Sequence, residues 1–363
     1  MSCLREIKRL KEGIVYIGEL PEGCKICLEG GKLVLFITGL CNEKCWYCPI
    51  NPAKRKDVIY ANNRLVNKFE DILKEAYLMD AEGTGITGGE PLLVKERLLF
   101  FIKNLKKHLG KEHHIHLYTN GRLLTKAFTR ELKYAGLDEL RLHPISLNDL
   151  KKLAWVKEIG IDVGIEVPII PGPRMFEYYN RLFLLAEKYG ASFINMNELE
   201  FSEGNYSALR LRGLSLKPYS QIAAEGSEEL ALKIVDWAKE NLSINIHYCA
   251  ANVKDSVQFK ERIKRIARKV RRKHEEIDED GLLVKGVAYF NTQTQIKPIL
   301  RSLLKEEFHK ELIIINDDRR RLEFHISLLD KILKADSLVN FTKIGILRKY
   351  PDRDLEVEFI PIK

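Results

Sequence analysis

The chain reads as an α/β protein: a complete or partial parallel β/α barrel followed by a small α+β domain. Three observations predict this. Apolar, strand-like runs alternate with helical patterns from residue 33 to about 249, the pattern that βα units and a parallel sheet impose on a sequence. Six or seven such units over about 220 residues suit a barrel better than a bundle or a sandwich. Beyond the turn "EEIDEDG" the alternation stops, and strand-like "LLVKGVAYF", "ELIIIN" and "LEVEFI" describe the smaller domain.

The elements follow in order. "KLVLFI" is a buried strand, apolar almost throughout. "LVNKFEDILKEAYLMD" (65–80) carries Leu65, Phe69, Ile72, Leu73 and Ala76 at helical spacing. "GTGIT" (83–87) returns to strand, and "LLVKERLLFFIKNLKKHL" (92–109) to helix. The strands "HIHLY" (114–118), "LDELRLH" (137–143), "IDVGIEV" (161–167) and "SFINMN" (192–197) come next, with helical segments between them. A helix near "SEELALKIVDWAKEN" (227–241) leads into "INIHY" (244–248). Four regions result: an N-terminal segment 1–32, the barrel 33–250, a basic connector 251–281 and an accessory domain 282–363.

Composition narrows the class. Of 363 residues, 45% are hydrophobic and 31% charged, ordinary for a globular protein. No apolar run reaches the length of a membrane span, and "MSCLREIKRLKEG" has no apolar signal core. These features predict a cytoplasmic protein with no membrane partner, in a compartment where thiols stay reduced. Heavy use of Lys, Glu and Ile leans thermophilic. The net charge of +9 is concentrated: residues 254–273 hold ten Lys or Arg against Asp255 and Glu261.

Seven cysteines in C-x2-C and C-x3-C-x2-C spacings argue for metal ligation over disulfides. Cys41, Cys45 and Cys48 fall just after the first barrel strand, at the end where parallel barrels keep their active sites. Three ligands leave a fourth position open, and open positions do chemistry. The second strand ends in "TGGEP". Its glycines allow close backbone approach to a ligand, and its carboxylate can take an ammonium group.

Together these motifs resemble the radical S-adenosylmethionine (SAM) superfamily, over roughly residues 33–200. The resemblance implies a partial (β/α)6-type, TIM-like barrel and a [4Fe–4S] cluster held by Cys41, Cys45 and Cys48. SAM would chelate the open iron and be cleaved reductively to a 5′-deoxyadenosyl radical, which takes a hydrogen atom from the substrate. Tyr47 would lie near the adenine, and Gly88, Gly89, Glu90 and Pro91 match the motif that receives the methionyl amine. Thr119 and Asn120 in "LYTNG" and Glu166 are further candidate SAM contacts. More narrowly, the chain is similar to archaeal radical SAM proteins related to pyruvate formate-lyase activating enzymes. A one-electron donor such as a ferredoxin or flavodoxin is implied.

Two features lie outside that core. "GCKICLEGGK" (23–32) looks like a turn-like metal knuckle with Cys24 and Cys27. Strand alternation sets Asn245, His247 and Cys249 on one face, so Cys249 could complete an auxiliary iron–sulfur or zinc site with that pair. It could instead act alone, as a catalytic thiol or hydrogen-atom donor. The shared site meets an obstacle, since Cys27 precedes the first strand and Cys249 ends a late one. In the basic segment, Val257, Phe259, Ile263, Ile266 and Val270 share one face of a helix. It is either a solvated helix docked on the barrel or a surface that tracks RNA phosphates. The substrate class is open between RNA, a protein side chain or glycyl site, and a small metabolite; a non-enzymatic zinc protein associated with nucleic acid is the competing class. Cys3 has no assigned role.

Overall fold

Inward and outward side chains alternate along the barrel strands, and that alternation separates an apolar outer layer from a polar lumen. A computed structural model describes residues 5–10, 13–291 and 310–363, so Cys3 lies outside the described residues. They form two compact units, Met1–Phe259 and Lys260–Lys363.

The first unit opens with an antiparallel hairpin, β1 (Ile7–Leu10) and β2 (Ile14–Ile17). Helix α1 (Glu22–Leu28) and β3 (Lys32–Phe36) follow, then the two-residue strands β4 (Tyr60–Ala61) and β5 (Arg64–Leu65). Regular βα alternation begins with α2 (Phe69–Leu78), β6 (Gly83–Thr87) and α3 (Lys95–Leu109). It continues through β7 (His114–Thr119), α4 (Lys126–Ala135), β8 (Glu139–Leu142), α5 (Lys151–Glu158), β9 (Asp162–Ile169), α6 (Met175–Lys188) and β10 (Phe193–Glu198). A short helix α7 (Tyr206–Arg210), then α8 (Ser227–Asn241) and β11 (Asn245–Cys249), complete it.

Seven of these strands are parallel neighbours in the order β11-β10-β9-β8-β7-β6-β3. The sheet stays open: β2 and β1 extend one edge and β4 and β5 the other, all by antiparallel pairing. The architecture is therefore α/β with a partial barrel.

Outward residues such as Leu33, Leu35, Ile86, Leu117, Leu140, Ile165, Ile194 and Ile246 are buried under the helices. Their lumen-facing neighbours are polar: His116 on β7, Glu139 and Arg141 on β8, Glu166 on β9, Asn195 on β10 and His247 on β11. Helix α2 starts at Phe69 rather than Leu65, because the Asp71 carboxylate accepts from the backbone N–H groups of Asn67 and Lys68 and fixes the N-terminus there.

The second unit begins with α9 (Lys260–Val270) and carries β12 (Glu276–Ile277), β13 (Leu283–Tyr289), β14 (Ile313–Asn316) and β15 (Arg321–Phe324). Helix α10 (Leu329–Val339), β16 (Lys343–Lys349) and β17 (Glu356–Pro361) complete it. The antiparallel sheet runs β14-β15-β13-β16-β17, with β12 on β13. One face of it packs Ala288, Leu322, Phe324 and Ile344 against Leu328, Ile332 and Phe341.

The basic segment differs from one continuous helix. Residues 254–259 form a wide π turn, and the regular helix spans Lys260–Val270 with Ile263, Ile266 and Ala267 buried. Four of its ten cations stand in ion pairs with named acids: Lys254 with Glu200, Lys260 with Asp280, Lys264 with Glu261 and Lys273 with Glu311.

Candidate functional site

The parallel strands end at a cavity of about 770 Å³. Its wall includes the loop after β3 with Cys41, Cys45, Tyr47 and Cys48, and Gly88 and Gly89 after β6. Thr119 and Asn120 close β7, His143 follows β8, and Glu166 and Asn197 come from β9 and β10.

The cysteine loop is fastened at its root. Thr38 donates to Asp57 (3.0 Å), which also receives Arg97 Nη1 and Nη2, and Gly39 N donates to Lys56 O. The strand ends lie backbone to backbone: Gly89 N donates to Thr38 O and Glu90 N to Leu40 O, both at 2.8 Å. A Cβ on Gly89 would fall 2.2 Å from Leu40 O, so any larger residue there would force the cysteine loop away. Farther along, Cys48 N closes a turn on Cys45 O, and Asn205 Nδ2 donates to Tyr47 O.

Cys41 is exposed, and Cys45 and Cys48 are half-buried. Burial pushes the Cys41 and Cys45 thiols up, so metal must displace a proton from each. Among the described residues, the one trio of metal-ligating side chains whose donor atoms lie within 4.8 Å of one another contains no cysteine. Three thiols on one loop at the cavity wall are the kind of donor set that an iron–sulfur cluster takes, with one corner left open.

Tyr47 is oriented from beneath. His143 Nδ1 lies 3.0 Å from the Glu166 carbonyl, which can only accept, so Nδ1 carries the proton. Nε2 then accepts from the Tyr47 hydroxyl at 2.8 Å, and burial lowers the His143 pKa, which favours this neutral tautomer.

Glu90 occupies a different setting from the one its motif suggests. It is fully buried, and its carboxylate accepts from Leu92 N (2.9 Å), Thr119 Oγ1 (2.7 Å) and Asn120 N (2.7 Å). Burial raises its pKa, against the pull of these three donors. Pro91 is buried as well and opens a one-turn helix, where its missing N–H is not needed. Gly88 and Gly89 face the cavity; Glu90 and Pro91 support them from behind.

Glu166 is held by Arg141 Nη1 (2.9 Å), Asn195 Nδ2 (3.1 Å) and Asn197 Nδ2 (2.9 Å). Burial alone would raise its pKa, but Arg141 and the two amides outweigh it and hold the carboxylate ionised. Arg141, His143 and Asn197 are site residues that motif reading missed. Their signal was the polar residue at every second strand position, which acquires meaning only once the inward face is known.

The turn-like knuckle at Cys24 and Cys27 is instead helix α1, with both cysteines buried. The obstacle of opposite barrel ends does not arise, because α1 enters the lumen. Gly31 N and Gly30 N bond back to Ile26 O and Cys27 O, and Gly30 (φ 74°) reverses the chain into β3. Asn195 donates to Cys24 Sγ at 3.5 Å, and Cys249 shares this environment: burial and the neighbouring Cys27 and Cys24 push its thiol up to about 12. The three sulfurs do not converge to single-ion spacing, and Cys249 does not line the cavity. No helix among the described residues is long and apolar enough to cross a membrane.

An open parallel β/α barrel with a three-cysteine loop over a lined cavity defines a metallocofactor enzyme. The Radical SAM superfamily model matches residues 35–166. A protein of Methanocaldococcus jannaschii named "Putative glycyl-radical enzyme activating enzyme MJ0021" is 40% identical over 362 residues, covering 95% of this chain and 93% of its own. A GTP 3′,8-cyclase of Campylobacter jejuni is 30% identical over 207 residues, covering 53% of this chain and 62% of its own. The crystal structure of Streptococcus suis SuiB bound to S-adenosylmethionine aligns with a TM-score of 0.43 at 16% identity, over 61% of this chain and 50% of that one.

The chain belongs to the radical SAM superfamily. It is an enzyme whose cofactors are a [4Fe–4S] cluster and SAM, and it cleaves SAM to generate a radical.

Proposed function

We propose that Cys41, Cys45 and Cys48 hold the cluster and that the radical is delivered to a protein substrate, a glycyl site of a partner enzyme. One observation carries the first part: the three cysteines, the Gly88–Gly89 backbone and the Thr119–Asn120 strand end meet around a single cavity. Its volume of about 770 Å³ lies within the roughly 300–1,000 Å³ usual for small-molecule sites. Cys41, Cys45 and Cys48 would hold the cluster, which when bound and reduced would supply the one electron for reductive cleavage of SAM to methionine and a 5′-deoxyadenosyl radical.

The chain's own residues bind and orient. The backbone at Gly88 and Gly89 offers polar groups to the methionyl end of SAM. Glu90 fixes that backbone against Thr119 and Asn120, and contributes negative charge toward the ammonium group. Tyr47, held by His143, supplies an aromatic edge for the adenine, and Glu166 with Asn197 offers acceptors and donors for the ribose. A ferredoxin or flavodoxin in a reducing cytoplasm would be the electron source.

The substrate class rests on the M. jannaschii relative's name and coverage. The four ion pairs within the basic segment weaken the case for RNA, because paired cations release few counterions on binding phosphate. The test is 5′-deoxyadenosine formation by the reconstituted protein with SAM, reductant and anaerobic cell extract. Stimulation abolished by protease but not by ribonuclease is expected, with a glycine-centred radical in the electron paramagnetic resonance spectrum. Stimulation abolished by ribonuclease alone would return the reading to RNA. Cleavage that persists when Cys41, Cys45 and Cys48 are all alanine would overturn the cluster assignment.

A further inference from the structure

We infer that the lumen holds a second metal site, a divalent transition-metal ion of the zinc class bound by His114, His116 and Glu139. This site is independent of the three-cysteine loop and uses no sulfur. His114 and His116 alternate on β7 and so share its inward face, and His116 is in register with Glu139 on the parallel strand β8. One donor atom from each of the three lies within 4.8 Å of the others.

The unpartnered state of the ligand atoms is the second observation. His116 is 0% exposed, and neither of its ring nitrogens has a hydrogen-bond partner. His114 Nε2 is buried and faces Glu139 Oε2 at 3.4 Å, a long contact outside good hydrogen-bond geometry. Buried imidazole nitrogens are rarely left unmade, since each costs about 1–3 kcal/mol. A metal ion would take one nitrogen of His116 together with His114 Nε2 and so answer part of that deficit.

The donor set selects the kind of ion. Magnesium and calcium take oxygen ligands, whereas two imidazoles and one carboxylate suit zinc. Arg141, which contacts both Glu139 and Glu166, and Lys32 are cations that the ion would have to tolerate. Its position gives the ion a positioning role: Gly23 N of α1 donates to Glu139 at 3.4 Å, so the ion would fix the helix that enters the lumen.

The test uses the full-length protein reconstituted anaerobically with iron and sulfide, supplied with zinc chloride, then cleared of loose metal with EDTA. An iron–sulfur cubane contains equal iron and sulfide, so metal in excess of sulfide counts ions outside clusters. The expected result is one zinc per chain in that excess, with only nitrogen and oxygen scatterers at about 2.0–2.1 Å in zinc X-ray absorption. His114→Gln and His116→Gln should each cut retained zinc at least tenfold, with iron, sulfide and circular dichroism unchanged. No excess metal in the wild-type protein overturns the inference, whatever the variants do. Sulfur scatterers at about 2.3 Å, or zinc lost in Cys24→Ser but kept in the histidine variants, also overturn it.

Discussion

Glu90 accepts from three donors at once, and its loss would be felt in folding before it is felt in binding. Glu90→Ala strands Leu92 N, Thr119 Oγ1 and Asn120 N, at about 1–3 kcal/mol for each buried group. We expect the melting temperature to fall together with SAM affinity, measured by calorimetry and by SAM titration of the reconstituted protein. A carboxylate that served SAM alone would leave melting of the SAM-free protein unchanged. The three cysteines and the paired glycines were legible in sequence because their spacing is local and their chemistry tolerates few other residues. His143 was not, because its partners Tyr47 and Glu166 are 96 and 23 residues away.

At the scale of elements, α1 is where sequence and structure part. Two cysteines with two residues between them, followed by paired glycines, gave no sign of a helix seven residues long that enters a barrel. Its fit is tight: a Cβ on Gly23 would lie 2.6 Å from His116 Nδ1 and 2.7 Å from Arg141 Nη2. Gly23→Ala should therefore destabilise the first unit by about 1–3 kcal/mol, read as a lower urea midpoint with an unchanged slope. Cys249→Ala should retain both SAM cleavage and substrate-stimulated turnover, since the thiol lies off the cavity wall; loss of product alone would restore it as a hydrogen-atom donor.

The strands also set an acid limit. Burial lowers the His113 and His247 pKa values to about 4, from about 6.5 when unfolded. A depressed histidine contributes stability above 6.5 that is lost as pH falls toward 4, because the unfolded chain takes up the proton first. Each adds a slope of up to ~1.4 kcal/mol per pH unit in that window. Urea midpoints of the cluster-free protein should fall between pH 6.5 and 4.5; a flat profile would mean that these rings are solvated.

For the whole molecule, the repeating strand and helix pattern made the parallel sheet legible, and the change of pattern marked a second unit. The edge strands β4 and β5 were not legible, because two-residue segments carry no periodicity. A net charge of +9 invites an RNA partner, yet Glu200, Asp280 and Glu311, which pair with cations of the basic segment, come from elsewhere in the chain. Replacing Arg271 and Arg272 with Ala should leave RNA retention at low salt unmeasurably small, as in the parent protein. A steep salt dependence that becomes shallower in the variant would show phosphate tracking instead. The sheet order has a further consequence, in time rather than space. Residues 15–17 of β2 pair with residues 246–248 of β11, and Arg5 donates to Leu242 O and Ile244 O. An early segment therefore waits through more than two hundred residues of synthesis for its neighbour. The nascent chain must carry a half-made sheet, with one edge unpaired, until β11 leaves the ribosome.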